Sequence, residues 1–476
     1  MAHDTFQSTE IMQTERPQTL TRHLSRTVEL ALPIAAARTL IVIVFIVDTM
    51  MTAWAGADQL AYLALGVAPQ LTLMLVAIGA LQAVPVLTSQ AIGAGRPERA
   101  GDILRTGLVI ALALGVIFLI AAYGSEHFYI AVGQEPLLAR EAALVNQAFA
   151  WGMIGLLLFV AVNAFLEAID HPRVGMVILV GLNVLNVPLN GVMALGWGVD
   201  GEGSGAMGAV IASSLLRWLS FVIAFYVVFR ISRLNEDRYR VIADAGVWIQ
   251  SVRQAVSARN RRMLRIGLPM GLAQGVESAA FAAIVFLAGM IGKTALAAHQ
   301  ITMNTVTLVF MVAVGIASAT TIRVGNAYGR ASIPDVVRGG WTGIGLSTIV
   351  PFFVTIALLT APTIVAGLYT TDPATVVATV ATFKVAAFVL VLDAVMAAIL
   401  GALRGLGDVW VPLCLQISAF WILGVPTAWI CGLHFNLGPP GLMIGIAVGV
   451  AVSVTALGFR WQTVSRRSID PTRIVS

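Results

Sequence analysis

Residues 32–51 read LPIAAARTLIVIVFIVDTMM, and residues 268–287 read LPMGLAQGVESAAFAAIVFL. Both stretches open with Leu-Pro, continue as long apolar runs and lie 236 residues apart in the chain. The same offset relates Gly79 to Gly315, so the similarity extends beyond one helix. The chain therefore contains one block twice, and duplicated blocks of apolar helices are typical of membrane transporters whose halves move around a shared site. Positions at which the copies disagree become candidates for function.

Further landmarks of the repeat lie after the second helix of each block and before the sixth. We align Gly95-Arg96 with Gly329-Arg330. The offset between the copies is then 234 residues at this point, two fewer than the 236 found before it. Residues 205–208 and 438–441 each begin and end with glycine and correspond to each other. The repeat therefore covers nearly the whole of both halves.

The composition indicates a membrane protein. Hydrophobic residues make up 58% of the chain and charged residues 11%, against roughly 25% charged residues in soluble domains. A helix of about 20 apolar residues crosses the ~30 Å hydrocarbon layer, and these runs are apolar on all sides, whereas the strands of membrane barrels alternate. We predict twelve transmembrane helices, near residues 34–54, 68–89, 105–123, 148–167, 174–195, 207–229, 267–290, 299–320, 341–361, 381–401, 411–431 and 442–460. The predicted fold class is an all-α polytopic membrane protein with two parallel six-helix lobes around a central cleft.

The distribution of lysine and arginine predicts the orientation, because these residues are retained on the cytoplasmic side of membranes. With the N-terminus inside, the cytoplasmic segments hold 24 of the 29 lysines and arginines, and the opposite side holds three. Both termini are then cytoplasmic, in a cell inner membrane, and the lobes are parallel because each contains six spans. The net charge of +5 reflects this bias, so we expect a lipid bilayer and no nucleic acid as a partner.

The spans divide the chain into five segments. The first of them is polar and lacks the apolar core and cleavage site of a signal peptide, so we expect none. We predict a cytoplasmic N-terminal tail, a first lobe, an arginine-rich cytoplasmic linker, a second lobe and a cytoplasmic C-terminal tail, at residues 1–30, 31–230, 231–262, 263–461 and 462–476.

Three carboxylates lie deep in predicted spans: Asp48, Glu277 and Asp393. A charge at the centre of a membrane helix costs roughly 2.5–3.5 kcal/mol on insertion scales, so such residues usually serve a function. Each acid faces an apolar residue in the other copy, so the shared scaffold does not require it. The structural alternative is a protonated carboxyl that hydrogen-bonds to the backbone or to a neighbouring hydroxyl.

A polar cluster is predicted in the first half. Asn186 and Asn190 lie four residues apart on the fifth span and share a helix face, and Pro188 between them loosens the backbone so that carbonyls turn inward. Together with Asp48 and with Ser213 of the sixth span, they form an oxygen-rich pocket suited to a hard cation or a proton. The alternative is packing of amides between helices, which contributes only about 0.6 kcal/mol per contact.

The second half surrounds its acids with different side chains. Gln274 shares a helix face with Glu277, and Gln300 and Asn304 share a face of the next span. Met303 and Met311 add apolar surface nearby. An acid framed by aromatic and methionine side chains suits a bulky organic cation, although ordinary packing is the alternative for such residues. The predicted lining of this cavity is Gln274, Phe281, Gln300 and Asn304.

No enzyme signature is found. The sequence lacks the Gly-Lys-Ser/Thr phosphate loop, a HExxH motif, a paired CxxC and an aspartate-rich Mg²⁺ motif. We therefore expect a protein that is not an enzyme, with no resident cofactor and no metal other than Na⁺. Active transport must then draw on an ion gradient.

Four motifs carry a resemblance to a known family. They are Val47-Asp48-Thr49, Ala297-Ala298-His299-Gln300, Arg323-Val324-Gly325-Asn326 and Leu403-Arg404-Gly405-Leu406-Gly407-Asp408, in this order on a duplicated scaffold. On these motifs, residues from about 25 to 460 resemble the multidrug and toxic compound extrusion (MATE) transporters, and within them the NorM-like branch.

The resemblance implies a monomeric antiporter of twelve helices that exports small organic cations or drugs against entry of Na⁺ or H⁺. The second-lobe cation-site acids of the family are matched by Glu277 and Asp393. Its first-lobe polar cluster is matched by Asp48, Asn186, Asn190 and Ser213, although some members have Asp where this chain has Asn190. The loop at 167–171 departs from the Arg-Gly-Leu-Gly-Asp pattern of the second copy, which weakens any role for it.

Two other classes of membrane protein remain as alternatives. A lipid-linked or other metabolite flippase or exporter of the same superfamily needs cationic residues that face the cleft, and only Arg38 and Arg217 lie within the spans. These two arginines either pair with acids or extend to the membrane surface. An ion channel needs a repeated filter or rings of charge, which unpaired acids in a twofold repeat do not provide.

Overall fold

The computed structural model describes residues 20–198, 203–242 and 261–467, which form helices and connecting turns without strands. Twelve helices in these ranges are long and apolar enough to cross a membrane. They are α1 (Leu20–Ala55), α2 (Ala57–Leu81, continued by Ala83–Gly93), α3 (Arg99–Tyr123), α4 (Pro136–Ala168), α5 (Pro172–Met193), α6 (Gly205–Leu234), α7 (Arg261–Ile291), α8 (Lys293–Gly329), α9 (Ile333–Ser347, continued by Ile349–Thr360), α10 (Pro373–Gly405), α11 (Trp410–His434) and α12 (Pro439–Val464). Two short helices, Ser125–Ala131 and Pro362–Gly367, follow α3 and α9.

The twelve predicted spans are confirmed, but the helices extend beyond the apolar runs. α1 begins at Leu20, inside the predicted tail, while α6 continues to Leu234 and α12 to Val464. An apolar run marks only the part of a helix that lies in hydrocarbon, whereas the backbone hydrogen bonds continue until a turn ends the helix. Most of the predicted tails and linker lies outside the described residues, at 1–19, 243–260 and 468–476.

Each half of the chain packs around its own central helix. In the first half this helix is α4, in which 94% of the most apolar 18-residue stretch is buried. In the second half it is α10, in which 72% of the corresponding stretch is buried. One apolar core surrounds α4 and draws mostly on the first half, and a second core lies wholly between Ala280 and Trp461. The packing therefore follows the repeat, with six helices to a lobe.

The lobes meet along α1 against α8 and along α2 against α7, two contacts that the repeat relates to each other. Small residues allow the helices to approach closely. A Cβ atom added to Gly315 would lie 2.5 Å from the Cβ of Ala35, and one added to Gly79 would lie 2.9 Å from the Cα of Gly271. The 236-residue offset of the repeat converts one pair into the other, since it relates Ala35 to Gly271 and Gly79 to Gly315, so the interface has approximate twofold symmetry.

The same symmetry corrects one alignment of the two copies. A Cβ atom at Gly93 would lie 2.2 Å from the carbonyl oxygen of Asn326, and one at Gly329 would lie 2.3 Å from the carbonyl oxygen of Gln90. These two contacts are related by the full offset of 236 residues. The alignment of Gly95-Arg96 with Gly329-Arg330 was therefore wrong by two residues. Gly329 corresponds to Gly93, where two helices cross, and not to Gly95 in the turn that follows.

The cleft between the lobes is closed on the side predicted to be cytoplasmic. There Gln90 of α2 donates a hydrogen bond from Nε2 to the carbonyl oxygen of Gly405, at 2.8 Å, and accepts one at Oε1 from Nη2 of Arg262, at 3.0 Å. At the opposite end, Gly56 and Gly292 occupy the α1–α2 and α7–α8 turns with φ of 133° and 143°, and no atom lies within 4 Å of a Cβ added at either. We call the contacts of Gln90 the cytoplasmic seal.

The fifth helix of each lobe differs in regularity. α5 remains α-helical through Pro188, so the expected inward turn of its carbonyls is not found. α11 instead contains π-helical turns at Ser418–Gly424 and Ile430–His434. The irregular backbone that the sequence placed in the first lobe therefore lies in the second, and π-helical turns are frequent at functional sites.

Candidate ion and substrate sites

The structure brings the four predicted residues of the first-lobe cluster together around one carboxylate. Asp48 accepts hydrogen bonds at Oδ1 from Nδ2 of Asn190, at 2.7 Å, and from Nδ2 of Asn186, at 3.1 Å. The hydroxyl of Ser213 donates to Oδ2 of the same carboxylate. All four side chains are buried. α1, α5 and α6 each contribute to this cluster, which we call the Asp48 cluster.

The spacing on α5 explains this geometry. Residues four apart lie on one helix face, and the face that carries both amides turns toward α1, with which α5 packs. Three donors on one carboxylate offset part of the cost of burying its charge. Oδ1 of Asn190 has no hydrogen-bond partner in the described residues and remains available as an acceptor.

Arg217 lies beside this cluster. It was expected to form an ion pair with an acid or to extend to the membrane surface, and in the described residues it does neither. Its guanidinium carbon lies 4.4 Å from the ring centre of Phe149 and 5.4 Å from that of Phe45, which is a cation–π geometry. Its charge also acts on Asp48. Phe45 lines the central cavity as well, so the first lobe contributes aromatic surface that the sequence placed only in the second lobe.

A cavity of about 570 Å³ lies between the lobes. α1, α2, α7, α8 and α10 line it, mostly with aliphatic, aromatic and methionine side chains. Such a volume, with few polar groups, is typical of small-molecule sites. The ionisable and amide side chains that line it are Arg38, Gln82, Gln274, Glu277 and Arg404.

The two predicted acids of the second lobe lie near each other, at different depths from the cavity. Glu277 lines the cavity, and Asp393 of α10 does not. Both are buried, and their charges act on each other. Oδ1 of Asp393 has no hydrogen-bond partner among the described side chains and backbone groups. The pair therefore offers one carboxyl to the cavity and one behind it.

Of the other predicted lining residues, only Gln274 lines this cavity. Phe281 does not line this cavity and packs against Phe420 of the second lobe, with ring centres 6.0 Å apart. Gln300 and Asn304 are exposed on α8, where Asn304 shares a face with Met311 of the cavity and lies two turns nearer the open end. The reason is the rotation of α7 and α8 about their axes, which packing determines.

Sequence reasoning missed two functional candidates near the ends of the central helices. It placed Glu167 at the boundary between a predicted span and the loop that follows, and Arg404 in a loop, whereas α4 and α10 extend through both residues. Glu167 is 1% exposed, accepts a hydrogen bond from Asn163 at 2.6 Å and lies 3.6 Å from Nη2 of Arg38. Arg404 faces the cavity, where its charge acts on Glu277. Glu167 and Arg404 occupy corresponding positions of the repeat and carry opposite charges. The three acids within the spans were found because the two copies differ at their positions, and the same criterion would have found Glu167 and Arg404.

The loops that follow these helices have the same backbone shape. Asp170 has φ of 64° in the first copy, and Gly407 has φ of 77° at the same place in the second. Asp is among the few residues that tolerate this left-handed conformation, so the first loop keeps its turn although its sequence departs from the motif. Asp408 of the second loop pairs with Arg460 of α12, at 2.7 Å, which indicates a structural part for the motif's last residue.

Comparison with known proteins identifies the family. The family model MatE matches residues 33–192 and 269–430, which is one match in each copy of the repeat. The chain belongs to the MATE family of multidrug efflux transporters. No group of three or more His, Cys, Asp and Glu side chains arranged to hold a metal ion is found in the described part of this MATE protein.

Relatives of this MATE protein match over most of their length. The probable multidrug resistance protein NorM of Rhodopseudomonas palustris is 31% identical over 396 residues, covering 82% of this chain and 81% of the relative. The multidrug resistance protein MdtK of Yersinia enterocolitica is 28% identical over 440 residues, covering 91% and 94%. The crystal structure of the eukaryotic MATE transporter AtDTX14 matches with a TM-score of 0.83 at 19% identity and covers 96% of this chain and 99% of that one, which shows the shared fold.

Proposed function

We propose that this protein is a secondary active antiporter that exports organic cations in exchange for Na⁺ or H⁺ by alternating access. The observation that carries the proposal is the central cavity with one buried carboxyl, Glu277, on its wall and a second, Asp393, behind it. The relatives are named as multidrug resistance proteins, which supports the export of drugs.

Competition for the paired carboxyls supplies the coupling in this proposal. A carboxylate attracts an organic cation far more strongly in a low-dielectric cavity than in water. When Na⁺ or H⁺ occupies Asp393 or Glu277, that attraction is lost and the drug leaves. The ion can shift the transporter between its two conformations only by as much as its affinity for them differs, so loss of the acids uncouples transport.

The Asp48 cluster serves as a second ion site in the proposed mechanism. Asn190 points Nδ2 at the carboxylate and leaves Oδ1 without a partner in the described residues. Rotation of the Asn190 amide by half a turn would present Oδ1, an acceptor, in place of Nδ2, a donor. Hard cations prefer oxygen ligands of this kind. The cluster therefore has the chemistry to hold either a bare carboxylate or a cation.

The setting of the transporter follows from the charge distribution. We propose a multi-pass protein of the inner membrane, with both termini and the linker between the lobes in the cytoplasm. In that orientation the cytoplasmic seal is closed and the cavity faces outward. One chain supplies all the residues of both acid sites, which supports a functional monomer.

Dye efflux from proteoliposomes tests the proposal. We expect the wild-type protein to move a cationic dye under either a Na⁺ gradient or a pH gradient, applied separately. Glu277→Gln and Asp393→Asn should each reduce this transport at least tenfold without loss of membrane insertion. Glu135→Gln, which removes an exposed acid, is the matched control and should transport normally. Normal efflux in both acid variants would contradict the proposed coupling.

One observation favours a second candidate, a flippase or exporter of anionic metabolites. Arg38 and Arg404 line the cavity, whereas Arg217, the other arginine considered from the sequence, does not. Glu277 lies on the same wall and disfavours a substrate that is wholly anionic. Movement of a fluorescent anionic lipid across the proteoliposome membrane, faster than in protein-free vesicles, would support this candidate over the first.

A further inference from the structure

Arg217 of α6 is a buried charge that the proposed mechanism does not use. It is 8% exposed and lies four residues after Ser213, so the two side chains share a helix face. Ser213 donates a hydrogen bond to Asp48, and the same face of α6 therefore turns Arg217 toward the Asp48 cluster. A charged side chain within a membrane helix is costly and is usually retained for function, so Arg217 calls for a functional reason.

Aromatic rings, and not acids, hold this guanidinium in place. Its central carbon lies 4.4 Å from the ring centre of Phe149 and 5.4 Å from that of Phe45, and the two ring centres are 6.2 Å apart. Nη1 of Arg217 is buried and has no hydrogen-bond partner in the described residues, and the side chain forms no ion pair with any of them. A cation–π contact attracts a cation without neutralising it, so Arg217 retains its full positive charge.

This charge acts on the Asp48 cluster without forming an ion pair. Among the charged side chains that the structure describes, Arg217 is the one whose charge acts on Asp48. The three side chains that donate hydrogen bonds to the carboxylate, those of Asn186, Asn190 and Ser213, are neutral. Because two charges interact more strongly in a protein interior than in water, the guanidinium stabilises the empty carboxylate and opposes a cation that approaches it.

The second copy of the repeat has no arginine at this position. The correspondence of residues 205–208 with residues 438–441 relates Arg217 to Val450. Val450 is buried in the apolar core of the second lobe, so the common scaffold packs an aliphatic side chain there. The arginine is present in the lobe that contains the Asp48 cluster and absent from the other, as expected for a residue that serves this cluster.

We propose that Arg217 is a positioning residue of the Asp48 cluster, which acts through Asp48 to weaken the binding of the coupling ion there. As an internal counter-ion it favours the bare carboxylate and so promotes release of the ion. An ion site that works in transport must bind weakly enough for the ion to leave. Without the opposing charge, a buried carboxylate among oxygen ligands would hold a hard cation more tightly. This inference rests on the proposed function, in which the Asp48 cluster is the second ion site.

Infrared difference spectroscopy on the purified protein tests this effect, because it detects both protonation of a carboxylate and binding of Na⁺ to it. In a background with Glu277→Gln and Asp393→Asn, the spectral change that Asp48→Asn abolishes reports on Asp48. Na⁺ is titrated at alkaline pH, and H⁺ is titrated without Na⁺. We expect Arg217→Gln to lower the ion concentration at half-occupancy about tenfold or more, because it removes a charge repulsion from a buried site.

Further variants separate the charge of Arg217 from its packing. Arg217→Met keeps an apolar side chain between the rings without the charge, and we expect it to tighten ion binding as Arg217→Gln does. Arg217→Lys keeps the charge, so its ion concentration at half-occupancy should stay within about threefold of the parent. Arg140→Gln, at an exposed position, is the control for loss of one positive charge and should have no effect. If Arg217 served only to pack α6, its variants would lower the thermal unfolding temperature and leave the half-occupancy concentration unchanged.

The outcomes distinguish this inference from the function on which it rests. An unchanged or raised half-occupancy concentration in Arg217→Gln and Arg217→Met overturns the role of Arg217 and leaves the Asp48 cluster as an ion site. An equal change in Arg140→Gln also overturns it, because the effect would then not depend on position. If neither Na⁺ nor H⁺ changes the Asp48 signal in the background protein, the second ion site fails and this inference fails with it. The antiporter itself is tested separately, by dye efflux in the Glu277→Gln and Asp393→Asn variants.

Discussion

Gln90 is the side chain that should hold the cytoplasmic side closed, and Gln90→Ala should open it. The substitution removes a hydrogen bond to Gly405 and one from Arg262, both across the lobe interface. A hydrogen bond between neutral groups contributes about 1 kcal/mol, and one that involves a charged group about 2 kcal/mol. Their loss destabilises the sealed conformation by about 3 kcal/mol, which is roughly a hundredfold change in the equilibrium constant.

Thiol labelling measures this change. Ser89 is buried beside Gly325 of the other lobe, and Ser89→Cys replaces one oxygen with sulfur. In a background that carries Cys414→Ser and Cys431→Ser, maleimide reaches the new thiol only when the seal opens. The labelling rate follows the open population while that population is small. We expect Gln90→Ala to raise the rate by about ten- to a hundredfold.

The repeat supplies the matched control for this experiment. Asn326 corresponds to Gln90 in the second copy, and its Oδ1 has no hydrogen-bond partner among the residues that the structure describes. Asn326→Ala should therefore leave the labelling rate within about threefold of the parent. An unchanged rate in Gln90→Ala, or an equal rise in both variants, would refute the assignment of the seal to Gln90.

Three further predictions follow from the site, the topology and the lobe interface. Asp48→Asn should reduce ion-driven efflux at least tenfold but leave dye affinity in detergent within about threefold, because Asp48 does not line the cavity; a large loss of dye affinity would mean that the Asp48 cluster binds drug. Cysteines introduced at Glu135 and Arg240 should react with impermeant reagents from opposite sides of the membrane, and labelling of both from one side would contradict the orientation. Gly315→Leu should force α8 away from Ala35, where even a Cβ would lie 2.5 Å away, and lower the thermal unfolding temperature of the purified protein by several degrees; an unchanged temperature would show that the lobes do not pack tightly there.

The sequence by itself determined the features that depend on local composition and on spacing within one helix. Twelve spans were predictable because burial in hydrocarbon requires about 20 apolar residues in each helix. The Asp48 cluster was predictable because Asn186 and Asn190 share a face of α5 at a spacing of four. The repeat also showed which acids the common scaffold does not require.

Only the tertiary structure decided how far the helices extend and which faces meet. Glu167 was placed at the end of an apolar run and Arg404 beyond the end of another, yet the helices continue past both residues and turn them inward. Phe281 lies one turn from Glu277 but packs on Phe420, because the rotation of α7 follows from its neighbours. Hydrophobicity and spacing describe each helix alone, whereas the closed seal and the central cavity arise between the lobes, where close packing of small residues sets the fit.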